Sequence, residues 1–183
     1  MELKEKLISS FMAFEEKIAD VNNDLHDIRT SAIKNFENKG FPTKKEEAWK
    51  YTSLNAILKN DFSVFAKNEN TVEFAEVKKY FLNDVDTYKV IFIDGKFSSY
   101  LSSTTHDGLD VCLMSSALTK PKYKMVIDEY FNKIANSDDS LTSLNTAFSH
   151  EGAYVNIPKS KVVEKPIEII YFSTGSEAAL MTQ

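Results

Sequence analysis

Residues 40–52 read Gly-Phe-Pro-Thr-Lys-Lys-Glu-Glu-Ala-Trp-Lys-Tyr-Thr, and this stretch decides how the N-terminal half of the chain is interpreted. Gly40 follows an amphipathic run and suits the left-handed conformation that ends a helix. Pro42 prevents that helix from continuing in a straight line. Thr43 and Glu46 form a Thr-x-x-Glu capping box, which predicts the start of another helix. The stretch therefore predicts a corner between two helices.

The same stretch contains the single tryptophan of the sequence, Trp49, with Tyr51 just beyond it. An aromatic residue at helical spacing usually fills a core. We therefore interpret Trp49 as a packing residue at the junction of the N-terminal helices. The alternative is a helical protein-interaction module whose aromatic corner contacts a partner.

Two amphipathic helices are predicted before this corner, because apolar residues recur at spacings of three and four. The first apolar stripe consists of Leu3, Leu7, Phe11, Phe14, Ile18 and Val21. The second helix, capped by Asn23 or Asp24, carries Leu25, Ile28, Ala32, Ile33 and Phe36 on one face. With a short turn through 54–58 and a helix from Thr71, residues 1–86 are predicted to form an N-terminal helical region.

The hydrophobic period changes in residues 87–148, which we predict to be a mixed α/β region. Residues 88–93 are rich in β-branched and aromatic side chains, and Asp94-Gly95 is a strong hairpin signal. The returning strand is predicted over residues 96–101. The other predicted elements are a strand over residues 109–114 and helices over residues 125–135 and 140–144.

Short strands separated by tight turns are predicted in residues 149–183. The strands cover residues 153–157 and 167–172, and Pro166 suits the start of the second one. Strands of this kind are typical of the first coils of a solenoid. The fold class predicted for the whole chain is therefore α+β.

Composition limits the classes of function. The formal net charge of −5 argues against general nucleic-acid binding, which relies on a basic surface. A hydrophobic content of 43% with 27% charged residues is ordinary for a soluble globular protein. Because Cys112 is the single cysteine, no intrachain disulfide can form, which favours a reducing, cytoplasmic location. Neither a signal peptide nor an apolar run long enough to span a membrane is recognisable.

The residue types that usually perform chemistry are dispersed. His26, expected to be solvated, lies far in sequence from His106 and His150. Cys112 lies in a predicted strand and is interpreted as a small buried hydrophobic residue. One cysteine and three dispersed histidines do not make a four-ligand metal site in a single chain. A small hydrolase or transferase that uses His150 or Cys112 is the least favoured alternative.

Carboxylates and glycines add no catalytic motif. Adjacent acids such as Glu46/Glu47 and Asp138/Asp139 lie at predicted loop or cap positions, and neighbouring residues on a helix do not face each other. Neither glycine-rich phosphate-binding motif is present. We therefore predict no catalytic, cofactor-binding or metal-binding residue in this chain, and no enzyme activity.

Residues 29–54 resemble the N-terminal segment of SufD, in the SufB/SufD family of the SUF iron–sulfur cluster assembly system. The matching residues are Gly40, Pro42, Thr43, Lys44, Glu47, Trp49, Lys50, Tyr51, Thr52 and Leu54, with Arg29, Ala32 and Phe36 upstream. A second similar stretch consists of Leu144, Asn145, Ala147, Phe148, Gly152, Ile157, Pro158, Glu164, Lys165, Pro166 and Ile167.

The resemblance implies a non-enzymatic scaffold subunit that works with SufB and the ATPase SufC. It also implies that residues 149–183 open a right-handed parallel β-helix, whose open end the N-terminal helices cap. Family members continue much further, so we expect this chain to be an N-terminal part. The full complex would handle the iron–sulfur cluster and ATP, and no functional residue of the family can be assigned to a position here.

The predicted strand at residues 167–172 has a consequence for association. Its free edge, with Ile169, Tyr171 and Phe172, would be a template for pairing with another chain. We therefore expect a homodimer through the C-terminal strands.

Overall fold

The computed structural model of the chain describes residues 2–18, 25–62, 64, 72–103, 109–135, 138–149 and 152–174. Within these ranges the chain has a mixed α+β fold, as predicted. The helices are α1 (Leu3–Ile18), α2 (His26–Lys39), α3 (Asn55–Leu58), α4 (Phe74–Lys78), α5 (Met114–Leu118), α6 (Pro121–Tyr130) and α7 (Ser140–Ala147), with a 3-10 helix at Glu47–Trp49. The strands are β1 (Tyr88–Ile93), β2 (Lys96–Phe97), β3 (Asp110–Leu113), β4 (Ala153–Asn156) and β5 (Ile167–Phe172).

Helix α1 buries the predicted apolar stripe against α2 and α7. The buried members are Leu3, Leu7, Phe11, Phe14 and Ile18, while Val21 lies outside the described residues. Phe148, at the end of α7, packs against Phe11 and Phe14 with ring centroids 6.1 and 5.2 Å apart. Each such side chain contributes about 1.5–3 kcal/mol when fully buried. This core therefore joins the N-terminal helices to an element from much later in the chain.

Helix α2 ends where the sequence predicts. Gly40 has a φ of 69°, and its N–H donates to the carbonyl of Phe36 at 2.7 Å. Phe36 and Ile33 are buried in the core, and Arg29, 1% exposed, donates from Nε to the Glu15 carboxylate of α1. The cap predicted at residues 23–24 lies outside the described residues. None of the described helices combines the length and the apolar character needed to cross a bilayer.

The α-helix predicted from the capping box is wrong. Half of the box forms, because the N–H of Thr43 donates to Oε1 of Glu46 at 2.8 Å. Only the 3-10 helix at 47–49 follows, and Trp49 is half-buried while Tyr51 is 88% exposed. Residues 44–48 are all exposed and offer no apolar face, and a short helix needs packing to be stable.

Strand β1 forms the centre of a three-stranded sheet of order β2-β1-β5. Asp94 and Gly95, with φ of 46° and 82°, make the predicted hairpin between β1 and β2. Strand β2 is shorter than predicted, because backbone N–H groups of β1 donate to the hydroxyls of Ser102 and Ser103 and not to the backbone of a longer β2. They accept from the N–H groups of Ile91 and Lys89, each at 2.9 Å.

Strands β3 and β4 form a second, antiparallel pair, with Val111 opposite Val155. This pair packs on the face of β1 that carries Val90 and Phe92. Both strands were predicted within a residue or two, but Met114 begins α5, which was not predicted. The sheets are small and none is closed, and the described residues do not show the β-helix that the resemblance implies.

Helix α6 starts four residues earlier than predicted and ends five residues earlier, at Tyr130. Pro121 occupies its first turn, where the missing N–H costs nothing and the fixed φ favours a helix. Ile134, which was predicted on the apolar face, is 90% exposed beyond the helix. The spacing therefore located the helix but shifted its bounds towards the C-terminus.

Candidate interaction surface

Strand β5 lies at one edge of the three-stranded sheet. It pairs with β1 in parallel register, with Tyr88 opposite Ile167 and Ile93 opposite Phe172. Among the described residues no strand pairs with its other side. A free strand edge presents unpaired backbone N–H and C=O groups that can pair with a further strand. We call residues 167–172 with this free side the β5 edge.

The β5 edge also carries exposed apolar side chains. Alternate residues of a strand share one face, and Ile169 and Tyr171 lie opposite Val90 and Phe92 of β1. Val90 and Phe92 are buried beneath β3 and β4, whereas Ile169 and Tyr171 are 44% and 60% exposed. The β5 edge therefore extends an apolar face beyond the strands that cover it.

The exposed Tyr171 ring is nevertheless ordered by its neighbour. It stacks on the ring of Phe92, with centroids 5.0 Å apart and planes at 14°. On the opposite face, Phe172 packs near Tyr80, with centroids 5.5 Å apart, and joins the core that contains Val77 and Ile91. The exposure expected for Ile169 and Tyr171 is confirmed, but Phe172 is partly buried.

A buried carboxylate fixes the beginning of β5. Glu168 is 9% exposed and accepts at Oε1 from the N–H of Leu82 at 2.9 Å. Its Oε2 accepts from the hydroxyl of Thr87 at 2.7 Å and lies 3.5 Å from Nζ of Lys89. A buried carboxylate needs partners of this kind to offset its lost hydration. The same bonds attach β5 to the segment before β1.

The pKa of Glu168 reflects these contacts. Burial alone would raise the pKa of this carboxyl, but the hydrogen bonds from Thr87 and Leu82 and the charge of Lys89 outweigh it. The pKa therefore lies below its ordinary value of 4.5. Glu168 is ionised at neutral pH and acts as a structural acceptor.

The hairpin turn fixes the other end of β5. The N–H of Asp94 donates to the carbonyl of Phe172 at 2.9 Å. The Asp94 carboxylate accepts from the N–H of Thr174 at 2.8 Å and from its hydroxyl at 2.6 Å. With both ends fixed, the β5 edge is held in an extended form before anything binds. Preorganisation of this kind reduces the entropic cost of association.

The acid pairs have structural roles at caps and turns. Asp139 caps α7 by accepting from the N–H of Thr142 at 2.6 Å. Asp138 accepts from Nζ of Lys39, and Glu47 lies 3.8 Å from Nζ of Lys50. These positions agree with the cap and loop positions predicted from the sequence.

Cys112 is half-buried in β3, opposite Tyr154 of β4. Burial and the negative charge of Asp110 raise the pKa of its thiol. The positive charge of Lys120 lowers this pKa, but by less. A raised pKa keeps the thiol protonated and weakly nucleophilic at neutral pH. The small hydrophobic role predicted for Cys112 is thus met only in part, because the residue is not fully buried.

The histidine predictions have different outcomes. His26 is exposed to solvent, as expected, and its Nδ1 in addition contacts the Glu15 carboxylate, which also binds Arg29. The packing of α2 on α1 brings these residues together, although they are distant in sequence. His106 and His150 lie outside the described residues. In the part of the chain that is described, no three His, Cys, Asp or Glu side chains are grouped so that they could hold a metal ion.

Sequence reasoning missed the residues that fix β5. Glu168 interrupts a run of isoleucines and aromatics, and a lone acid in an apolar strand indicates a buried partner. That signal was available. The pairing of Asp94 with Thr174 was not, because it depends on which strand lies beside β1.

Comparison with known proteins identifies the family. The model described as the SufBD protein N-terminal region matches residues 1–169. The chain therefore belongs to the SufB/SufD family of iron–sulfur cluster assembly proteins. The "Iron-sulfur cluster assembly SufBD family protein slr0076" of Synechocystis sp. (strain ATCC 27184 / PCC 6803 / Kazusa) is 22% identical over 142 residues. The match covers 78% of this chain and 31% of that relative, so the chain corresponds to about a third of the relative's length.

Proposed function

We propose that this chain acts as the N-terminal part of a SufD-type scaffold subunit, which assembles iron–sulfur clusters with SufB and SufC in the cytoplasm. The observation that carries the proposal is the family match over residues 1–169. The SufD assignment also rests on the similarity of residues 40–54 to that branch of the family.

The structure suggests how this segment contributes. The helical layer of α1, α2 and α7 packs as one apolar core, and among the described residues β5 offers a fixed edge with no strand paired to its other side. In the proposed function, the β5 edge is where a right-handed parallel β-helix begins, and the helices cap its end. The parallel pairing of β5 with β1 supports this role, because a β-helix is built from parallel strands.

The scaffold role is non-catalytic in this proposal. Cys112 is not activated, and the acids at 138 and 139 serve as cap and ion-pair partners. The iron–sulfur cluster is cargo of the whole complex, and ATP is used by SufC. This segment would bind neither.

A helical interaction module with an unrelated partner is the second candidate. Tyr51 is 88% exposed and Trp49 is half-buried, so the aromatic corner of residues 40–52 is open to contact. This candidate predicts a partner bound through the corner and independent of SufB and SufC.

Affinity purification separates the two candidates. The natural protein that contains this chain is tagged and isolated anaerobically from its own cells, and retained proteins are identified by mass spectrometry. Recovery of SufB and SufC supports the scaffold. Recovery of an unrelated partner that is lost on Tyr51→Ala but kept on Tyr130→Ala, a tyrosine 58% exposed on α6, overturns it.

A further inference from the structure

The backbone groups of β5 that face its free side follow from the hydrogen bonds between β5 and β1. The N–H of Tyr88 donates to the carbonyl of Pro166, and the N–H of Asp94 donates to the carbonyl of Phe172, each at 2.9 Å. The N–H and C=O of one strand residue point to the same side, and this side alternates along the strand. Even-numbered residues of β5 therefore bond to β1. The N–H and C=O groups of the odd-numbered residues face the β5 edge, and these residues are Ile167, Ile169 and Tyr171.

The β5 edge lacks the features that usually protect a free strand edge. Protected edges carry lysine or proline, contain a bulge, or consist of a very short strand. The opposite edge of the same sheet fits this description, because β2 is only two residues long and its Lys96 is exposed. The six residues of β5 include no lysine or proline, and their one charged residue, Glu168, is buried. Because no described strand covers it either, the β5 edge is open to a further strand.

We propose that two copies of this chain pair through their β5 edges, antiparallel and with Ile169 of one copy opposite Ile169 of the other. In this register Ile167 of each copy lies opposite Tyr171 of the other copy. All three edge-facing residues then form pairs that exchange both of their N–H···O bonds. A two-fold axis passes through the Ile169 pair, so the interface closes on itself and adds no third copy.

The side chains of β5 support this register. A two-fold axis perpendicular to the sheet keeps the same face of β5 on the same side in both copies. The apolar face of one copy, which exposes Ile169 and Tyr171, therefore adjoins the identical face of the other copy. The resulting cross-strand pairs are isoleucine with isoleucine and isoleucine with tyrosine, and pairs of β-branched and aromatic residues stabilise antiparallel strands.

A register shifted by one residue pairs fewer edge-facing residues of β5. With Ile170 on the axis, Ile169 would lie opposite Tyr171, but Ile167 would lie opposite Ser173, which is outside the strand. The register centred on Ile169 is the one in which every edge-facing residue of β5 meets another. We therefore commit to it, and the shifted register becomes an outcome of the test.

The pairing goes beyond the proposed function and does not depend on it. One strand edge accepts one further strand, so a second copy and the first strand of a following β-helix coil exclude each other on the β5 edge. The pairing is therefore proposed for this chain wherever no further strand occupies the edge. Its failure would leave the proposed function intact, because that function rests on the family match.

Single-cysteine variants of the whole chain test the register. Cys112→Ser removes the natural thiol, and cysteine then replaces Ile167, Ile169 or Tyr171. Diamide, which accepts the two hydrogens of a thiol pair, is added, and the products are separated on a non-reducing gel. Ile169→Cys should form a covalent dimer, because the opposite Cα atoms lie about 5.5 Å apart, within disulfide range. Ile167→Cys and Tyr171→Cys should each stay uncrosslinked, because four residues, about 14 Å along the strand, separate each from its own copy.

A mixture and a surface control complete the test. Ile167→Cys and Tyr171→Cys proteins, mixed after dilution, should form a covalent heterodimer although neither crosslinks alone. Ile57→Cys, on α3, is the matched control because the exposure of Ile57 is nearly that of Ile169, and it should stay uncrosslinked.

Three results would overturn the proposal. The first is a folded Ile169→Cys protein, with unchanged circular dichroism, that forms no covalent dimer. The second is Ile57→Cys crosslinking to the same extent as Ile169→Cys. The third is crosslinking between Ile169→Cys and Tyr171→Cys proteins when Ile169→Cys does not crosslink alone, which would show the register centred on Ile170. If Ile169→Cys does not fold, the mixture of the other two variants decides.

Discussion

The carboxylate of Glu168, which lies within an otherwise apolar strand, accepts a 2.7 Å hydrogen bond from the hydroxyl of Thr87. Lys89 lies 3.5 Å from the same oxygen and donates to the Thr87 hydroxyl at 2.7 Å. Three polar side chains from β5, from β1 and from the residue before β1 therefore meet at one buried point. This cluster attaches the edge strand to the centre of the sheet.

Glu168→Gln is expected to lower the free energy of unfolding by about 1–3 kcal/mol, because a charge-assisted buried hydrogen bond is weakened. Urea denaturation followed by circular dichroism measures this. Glu164→Gln, an exposed acid four residues earlier, is the matched control and should change stability by less than about 0.5 kcal/mol. Equal, small effects of both changes would show that the cluster adds no stability.

The same carboxylate predicts a dependence on pH. The pKa of Glu168 is lower in the folded chain than its ordinary value of 4.5, so folding favours the ionised form. The resulting stabilisation is complete above pH 4.5 and is lost as the pH falls through the folded pKa. The stability difference between the natural chain and Glu168→Gln should therefore shrink between pH 6 and pH 3. A difference that stays constant or grows over that interval contradicts this assignment.

Much of the local structure could be predicted from the sequence, because the signals were themselves local. The spacing from Leu3 to Ile18 predicted α1, and Asp94-Gly95 predicted the hairpin. The capping box at Thr43 is an equally local signal, but it predicted an α-helix that lacks an apolar face to bury. Local propensity therefore succeeded where packing supported it.

Long-range pairing was beyond the sequence. Residues 88–93 and 167–172 were both predicted as strands, but nothing in either run shows that they pair side by side in parallel. The free edge and the exposure of Ile169 and Tyr171 were predicted, because the apolar strand near residue 170 would be covered only by a further coil of the implied β-helix. Glu168 by itself indicates a buried partner, but the identity of that partner and the contact of Thr174 with Asp94 depend on the strand pairing and could not be predicted from the sequence.

Thr174→Val tests the other attachment of β5. The substitution removes the hydroxyl that donates to Asp94 at 2.6 Å and keeps the shape of the side chain. Amide hydrogen exchange at residues 170–172 should become faster, and stability should fall by about 0.5–1.5 kcal/mol. Ser173→Ala, at an exposed neighbouring position, is the control. If both variants exchange like the natural chain, the Asp94 contact does not hold the strand end.

Metal and nucleotide binding by the isolated chain can be tested directly. One cysteine and three histidines do not supply the ligands of a cluster or a structural zinc site within one molecule. Anaerobic reconstitution with iron and sulfide should therefore leave no cluster absorbance after desalting, and calorimetry with ATP should show no heat of binding. A stoichiometric cluster that survives in monomeric protein would contradict the assignment of cluster handling to the wider complex.

The β5 edge predicts self-association of this chain. Its free backbone groups and the exposed side chains of Ile169 and Tyr171 favour pairing with another strand. A second copy offers the same edge, and two identical edges pair about a two-fold axis that closes on itself. Light scattering should therefore show a dimer that dissociates on dilution.

Lysine substitutions decide whether β5 forms that dimer. Ile169→Lys and Tyr171→Lys place a charge on the edge and should each give a monomer. Two controls, Ile57→Lys and Tyr130→Lys, change residues of nearly the same exposure elsewhere in the chain. Ile57 is 47% exposed, against 44% for Ile169, and Tyr130 is 58% exposed, against 60% for Tyr171. Both controls should still dimerise, because α3 and α6 lie outside the β5 edge. A monomer at every concentration, or a dimer that neither edge variant disrupts, would leave the edge without a role in association.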